Sequence, residues 1–324
     1  AGAITIATVP IGNAGNAADP LTGNGAVGYA YSMGTYDVTI GQYTAFLNAV
    51  AATDPYLLYI PAMGTDLTVA GIARSGSSGS YTYSVIGSTA NNPITYVTFE
   101  SAARFANWMD HGQPTGPEGP ATTESGSYTM NGATTDAAIG NITRNADATW
   151  VIPTENEWYK AAYYQPTAHG GPASGYWFYP TQSNTAPTSH APSGTPDTAN
   201  VTSPTGAYAV TGSSTLNPNQ DYLTAVGAYT HSASYYGTYD QSTDVGNWTE
   251  NLIGAPDWRG DPGGAWNGNA RESAADQFFG RPGSSAASDT GFRLALVVPT
   301  PEPSTAVLGL IACCTLWWWR KRFK

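Results

Sequence analysis

The chain has 324 residues and a mass of 33.8 kDa, enough to bury a substantial core. With 41% hydrophobic, 12% aromatic and only 11% charged residues it lacks the composition of a disordered chain, and its 37 glycines and 23 prolines, without a three-residue period, exclude both a helical bundle and collagen. The formal charge is -11, but Arg320, Lys321, Arg322 and Lys324 crowd the end; residues 1–300 carry eight Lys and Arg against twenty-two Asp and Glu, a balance of −14 that repels phosphate backbones and excludes nucleic acid as a partner.

In chain order, Ala1-Gly2-Ala3 leads into an alternating Ile4/Ile6 pattern with no apolar leader before it, which predicts numbering that starts after a cleaved signal. A β-type run covers residues 33–38. Thr39-Ile40-Gly41-Gln42 is a capping box, and Tyr43, Phe46, Leu47 and Val50 follow at helical spacing to make one apolar stripe. Further strand patterns fall at 81–86 and 94–98. Thr98 can cap a second helix whose stripe is Ala102, Phe105, Ala106 and Met109. After a strand pattern at 149–152, Pro153-Thr154-Glu155-Asn156-Glu157 forms another capping box, with Trp158, Ala161 and Ala162 inward. Carboxylates in a first helical turn favour the helix dipole, so Glu155 and Glu157 are assigned to capping and not to acid/base chemistry. Residues 165–221, dominated by Pro, Thr, Ser, Gly and Asn, read as a loop-rich insertion, and 291–298 as a last strand. Strands and helices do not alternate regularly, which predicts an α+β fold in one compact domain over residues 1–299.

The body has no thiol, because Cys313 and Cys314 are adjacent in the tail; disulfides, zinc-thiolate sites and cysteine nucleophiles are excluded from it. The histidines His111, His169, His190 and His231 sit singly in loop-type sequence, unlike a transition-metal set. Arg259-Gly260-Asp261 spells an adhesion tripeptide, read here as a chance match. Asn141, Asn200 and Asn247 each open a glycosylation-type triplet.

The tail has three zones: Pro301-Glu302-Pro303 inside a proline-rich lead-in, fourteen uncharged residues at 306–319, and a basic end. Fourteen residues fall short of the roughly 20 that span a bilayer as a helix. This order resembles the PEP-CTERM sorting signal of Gram-negative bacteria that produce exopolysaccharide. That resemblance implies a short hydrophobic tail helix over 300–324, transient inner-membrane anchoring, processing by an exosortase, and a body delivered to the cell surface or extracellular matrix.

In the body, Gly34-Thr35-Tyr36-Asp37-Val38-Thr39 with Gln42-Tyr43 and Phe46-Leu47-Asn48, then Pro93-Ile94-Thr95-Tyr96-Val97-Thr98 with Phe105-Ala106-Asn107-Trp108, Ile152-Pro153-Thr154-Glu155-Asn156-Glu157-Trp158, Asp244-Val245-Gly246-Asn247-Trp248, Gly263-Gly264-Ala265-Trp266 and Gly291-Phe292-Arg293 occur in this order. Together they resemble the formylglycine-generating-enzyme, or sulfatase-modifying factor, domain family. The resemblance implies a C-type-lectin-like fold with little regular secondary structure. It also implies copper held by two cysteines shortly before the closing Gly-Phe-Arg, where this chain has Asn269-Ala270-Arg271-Glu272-Ser273. Serine or alanine cannot replace a soft thiolate pair for Cu(I), so neither copper nor sulfatase activation is expected.

The same resemblance implies calcium at two places. The first set is Asn200, Val201, Asp221 and Leu223; the second is Asp244, Val245 and Asn247, with Asn247 standing where a glutamate is expected. Loop Asp and Asn making Asx turns is the competing role for all of them. In the family's substrate cleft the chain places Trp258, Arg271, Phe278 and Phe279, aromatic faces suited to sugar rings or apolar side chains, with Trp266 assigned to the core. The predicted function is an exported, non-catalytic lectin-like binding or matrix protein whose partners are exopolysaccharide or surface proteins. The alternatives are an oxidoreductase of the formylglycine-generating type with altered chemistry, and a self-assembling surface or filament subunit.

Overall fold

In the computed structural model, which describes residues 2–298, the chain opens with strands β1 (Thr8–Ile11) and β2 (Tyr31–Gly34), helix α1 (Ile40–Val50), the single turn α2 (Ala62–Thr65) and the hairpin β3 (Ile72–Ser75) and β4 (Thr82–Val85). Helix α3 (Phe99–Asp110) and the turn α4 (Asp136–Ile139) lead to β5 (Trp150–Val151) and helix α5 (Glu155–Tyr163). Eight short strands follow: β6 (Thr188–Ser189), β7 (Thr198–Ala199), β8 (Gly246–Asn247), β9 (Thr249–Leu252), β10 (Trp258–Gly260), β11 (Gly280–Pro282), β12 (Thr290–Gly291) and β13 (Ala295–Leu296). The result is an α+β fold of small helices and sheets. The sorting motif Pro301, Glu302, Pro303 and the tail after it lie outside the described residues.

The three helix starts form as the sequence predicts. Thr39 Oγ1 accepts from Gln42 N at 3.2 Å while Gln42 Oε1 accepts from Thr39 N at 2.8 Å. Thr154 and Glu157 make the same reciprocal pair at the start of α5, and Thr98 Oγ1 accepts from Ser101 N at 3.2 Å. Each cap contributes about 1 kcal/mol by satisfying a backbone donor that has no intrahelical partner. The α1 and α3 stripes meet in an aromatic cluster: Phe46 and Phe105 edge to face at 5.2 Å, Phe105 and Phe292 at 5.4 Å, Phe46 and Trp108 at 5.3 Å. Helix α3 is buried on nearly every side, more than one stripe requires, because residues 113–133 cover its outer face. Asn107 holds that cover, donating to Thr123 O at 2.7 Å and Tyr128 O at 2.9 Å, and Arg104 pairs with Glu124.

The main sheet runs β1-β2-β13-β5, antiparallel throughout, with Ala295 opposite both Met33 and Val151. A second sheet, β11-β10-β9, was not legible as strands in the sequence, and β12 pairs in parallel with β8. The run 291–298 is not one strand: it divides into β12 and β13, because Phe292 turns into the aromatic cluster and its carbonyl accepts from Val38 N at 2.9 Å. Residues 94–98 make no strand either. Tyr96 adopts φ 58°, which breaks the two-residue period, and its hydroxyl donates to Asp66 Oδ2 at 2.6 Å. Between 165 and 221 the regular pieces are a 3-10 turn at Thr167–His169 and the paired β6 and β7, yet the segment is anchored by buried Tyr176, whose ring lies 5.6 Å from that of Tyr159.

Candidate functional site

Alternation after β12 sends Phe292 into the core and Arg293 to the opposite side, where it is fully buried. Its Nε donates to Asn247 Oδ1 at 2.8 Å, its Nη2 to Asp37 Oδ1 at 2.9 Å and Tyr239 O at 3.0 Å, and its Nη1 to Gly34 O at 3.1 Å. Asn247 is the hub of this centre. Its Oδ1 also accepts from Trp158 Nε1 at 2.9 Å, and its Nδ2 donates to Asp37 Oδ1 at 2.9 Å. Burial pushes Asp37 up to about 6 against the opposing pull of Arg293.

The oxygen-bearing residues expected for calcium are regrouped by the fold. Asn200 and Asp244, assigned to different sets, meet directly: Asn200 Nδ2 donates to Asp244 Oδ1 at 2.6 Å and to Tyr222 O at 2.8 Å. Asp244 sits at φ 65°, buried, and also accepts from Thr224 Oγ1 at 2.8 Å; burial and the neighbouring Asp240 carboxylate hold its pKa well above the usual range. Asp221 is turned elsewhere, accepting from Leu223 N at 3.0 Å and Asn92 Nδ2 at 3.0 Å in an Asx turn. Val201, Val245 and Leu223, which neighbour these groups in sequence, are all buried. Among the described residues no three His, Asp, Glu or Cys side chains converge as a metal cluster. A cation here needs carbonyl and amide oxygens as well. Two observations bear on the fit. Asp240 Oδ1 is buried without a hydrogen-bond partner among the described residues, which suits a hard cation near Asp240 and Asp244. The Asn247 amide oxygen, by contrast, is engaged by Trp158 and Arg293 and does not suit that role.

The residues expected to form an aromatic ligand face are separated. Opposite residues across β10 and β11 are Trp258 with Pro282 and Gly260 with Gly280, so alternation puts Trp258 on one face of the sheet and Asp261, Phe279 and Arg281 on the other. Trp258 is 40% exposed and Phe279 36%. Phe278 is partly buried with its ring stacked on Tyr159 at 6.2 Å, and Arg271 forms an ion pair with Asp276 and lies over the Phe178 ring at 5.3 Å. Trp266 is in the core, stacked on Tyr222 at 5.1 Å.

On the Phe279 side lies a cavity of about 190 Å³ lined by Gly246, Asp261, Asn267, Glu272, Arg281 and Asp289, among others. Arg281 Nε contacts Asp261 Oδ2 at 2.6 Å and its Nη1 donates to Asp289 Oδ1 at 3.1 Å. Asp261 is buried, and desolvation raises it to about 6 in spite of Arg281. A Cβ at Gly246 would lie 2.7 Å from Asp261 Oδ1, so any larger residue there has to displace that carboxylate. The stretch where the resembled family places its cysteines, residues 269–273, folds as a 3-10 turn capped by Asn269, whose Oδ1 accepts from Arg271 N at 2.9 Å; Glu272 carries it to the cavity wall. Sequence reasoning missed Asp261, Arg281 and Asp289. Asp261 belongs to the adhesion-type tripeptide, which the structure makes internal: Arg259 and Asp261 are both 3% exposed, and Arg259 lies over Phe99 and donates to Ile142 O at 2.7 Å. Of the three glycosylation-type triplets, Asn200 and Asn247 are buried and Asn141 is exposed.

A family profile described as sulfatase-modifying factor enzyme 1-like domain matches residues 11–298. No curated protein matches. Among solved structures the chain is similar to CarF, at 18% identity and TM-score 0.51, covering 91% of this chain and 99% of that one. It is also similar to variable protein 1 of Treponema denticola (16% identity, TM-score 0.47, 91% and 98% covered) and to PvdO from Pseudomonas aeruginosa (14%, 0.43, 90% and 92%). At 18% identity the likeness to CarF is one of fold.

Proposed function

The chain belongs to the sulfatase-modifying factor enzyme 1-like family, and from that premise we propose that it is an exported binding or extracellular-matrix protein that does not activate sulfatases. The observation that carries this reading is the absence of any cysteine before Cys313, which leaves residues 269–273 without the thiolate pair that selects Cu(I). What remains at that place is a polar cavity with a rigid Arg281 and an exposed Phe279, features of recognition. In this reading Asp244, with Asn200 and nearby carbonyls, holds calcium as a structural ion, and the ion neutralises carboxylates that otherwise repel one another. The tail, read as a PEP-CTERM signal, anchors the chain transiently in the inner membrane until an exosortase releases the body to the surface or matrix. The test is a thiol-oxidation assay on sulfatase-like cysteine peptides with copper and oxygen. No turnover above a metal-only control is expected; clear turnover favours the oxidoreductase alternative and removes this reading.

A further inference from the structure

Resting on the reading of the chain as a binding protein, we propose that the cavity beside β10 and β11 takes a single neutral sugar unit, recognised by Arg281, Asp289 and Phe279. Size comes first. About 190 Å³ is room for about six waters at roughly 30 Å³ each, below the roughly 300 Å³ at which drug-sized sites begin, so one ring fits and an extended peptide segment does not.

Charge comes second. The lining holds three carboxylates, Asp261, Glu272 and Asp289, against the single guanidinium of Arg281. A uronate or sulfated unit would set another negative group among them, and like charges brought together at an interface are rejected. A neutral ligand meets no such penalty.

The donor and acceptor pattern then favours a polyol. Asp261 pairs with Arg281 at Nε and Asp289 accepts from its Nη1, which leaves Nη2 with no hydrogen-bond partner among the described residues. Asp289 Oδ2 accepts only a long contact of 3.3 Å from Asn267 Nδ2. A fixed donor therefore stands beside an acceptor with spare capacity. Adjacent ring hydroxyls, each both donor and acceptor, match that pair. Phe279, exposed at the rim, offers its face to the C–H side of the ring.

Ligand-observed saturation-transfer NMR on the full chain tests this with the methyl glycosides of glucose, galactose, mannose and N-acetylglucosamine, and with methyl glucuronide. At least one neutral glycoside should bind while the glucuronide does not. Phe279→Ala, an exposed position whose folding is checked by its melting curve, should weaken binding about tenfold. Arg281→Gln should abolish it, and Leu21→Ala, exposed and outside the cavity, should change nothing. The proposal is overturned if no neutral glycoside binds, if the glucuronide binds as well, or if Trp258→Ala removes binding that Phe279→Ala leaves intact. Retention on immobilised dextran and alginate separates the two levels. Retention on alginate with no neutral glycoside bound defeats the sugar cavity and leaves the binding-protein reading standing. No retention on either, together with thiol-oxidising turnover, defeats both.

Discussion

Replacing Arg293 by Met removes a guanidinium that makes four hydrogen bonds at full burial while keeping most of its apolar stem. Gly34 O and Tyr239 O lose a donor, and Asp37 keeps only Asn247 Nδ2 on Oδ1, its Oδ2 having no partner among the described residues. The uncompensated carboxylate dominates, because breaking a buried ion pair from one side costs about 3–5 kcal/mol. Part of that loss should be recoverable by protonation. Asp37 stands near 6 with Arg293 present and rises further without it, above its ordinary 3.8. A raised folded pKa gives stability that is complete below the unfolded value and is lost as pH rises through the folded one. The variant should therefore lose more relative to wild type at pH 8 than at pH 5. Urea denaturation followed by tryptophan fluorescence measures both. A loss under about 1 kcal/mol at pH 7 with unchanged m, or a loss identical at pH 5 and 8, would refute the reasoning.

The wild-type protein in excess chelator should melt at higher temperature at pH 5 than at pH 8. Burial raises Asp37, Asp221 and Asp261 to about 6 and Asp240 to about 7, so the folded state binds more protons than the unfolded one across that window; a rise in melting temperature with pH contradicts this. Asp221→Ala should shift the melting temperature by the same amount in calcium and in chelator, because it removes the acceptor of Leu223 N and Asn92 Nδ2 and no ligand of the ion at Asp244. A loss confined to the calcium sample would instead make Asp221 a ligand of the ion, since a ligand that binds only the native state stabilises it by mass action. Phe278→Ser should cost about 1–2 kcal/mol, or several degrees in thermal melts, through its contact with Tyr159, while Phe279→Ser should leave the melting temperature nearly unchanged; the reverse order would show that the two rings have exchanged roles.

The parts legible in the sequence are those whose cause is local. Thr39 with Gln42 and Thr154 with Glu157 stand three residues apart, and the stripes they open need only the helical period, so spacing alone exposes them. Glu157 shows where local reading stops: it caps α5 as expected and also pairs with Arg144, which no spacing announces. The centre at Asn247 joins Asp37 to Arg293 across 256 residues, and its meaning lies in three partners that chain order keeps apart. The sheet β9-β10-β11 was hidden for a related reason. Its strands are only three or four residues long, so no period develops, and their pairing is fixed by what packs on each face. That packing also divides Trp258 from Phe279, residues that composition alone would gather into one surface.

The position of β13 between β2 and β5 has a consequence for when this protein can become itself. Residues 295–296 fill a gap whose two sides, at 33 and 151, are synthesised far earlier, so until they arrive the main sheet is two unjoined pieces. Helices α1 and α3 can form from their own caps and meet through Phe46 and Phe105, but their aromatic cluster stays incomplete until Phe292 packs against Tyr43 and Phe105. A chain still being made, or still passing through a narrow channel, is therefore held open by its own topology, and closure is deferred until the late segment is free to enter the sheet.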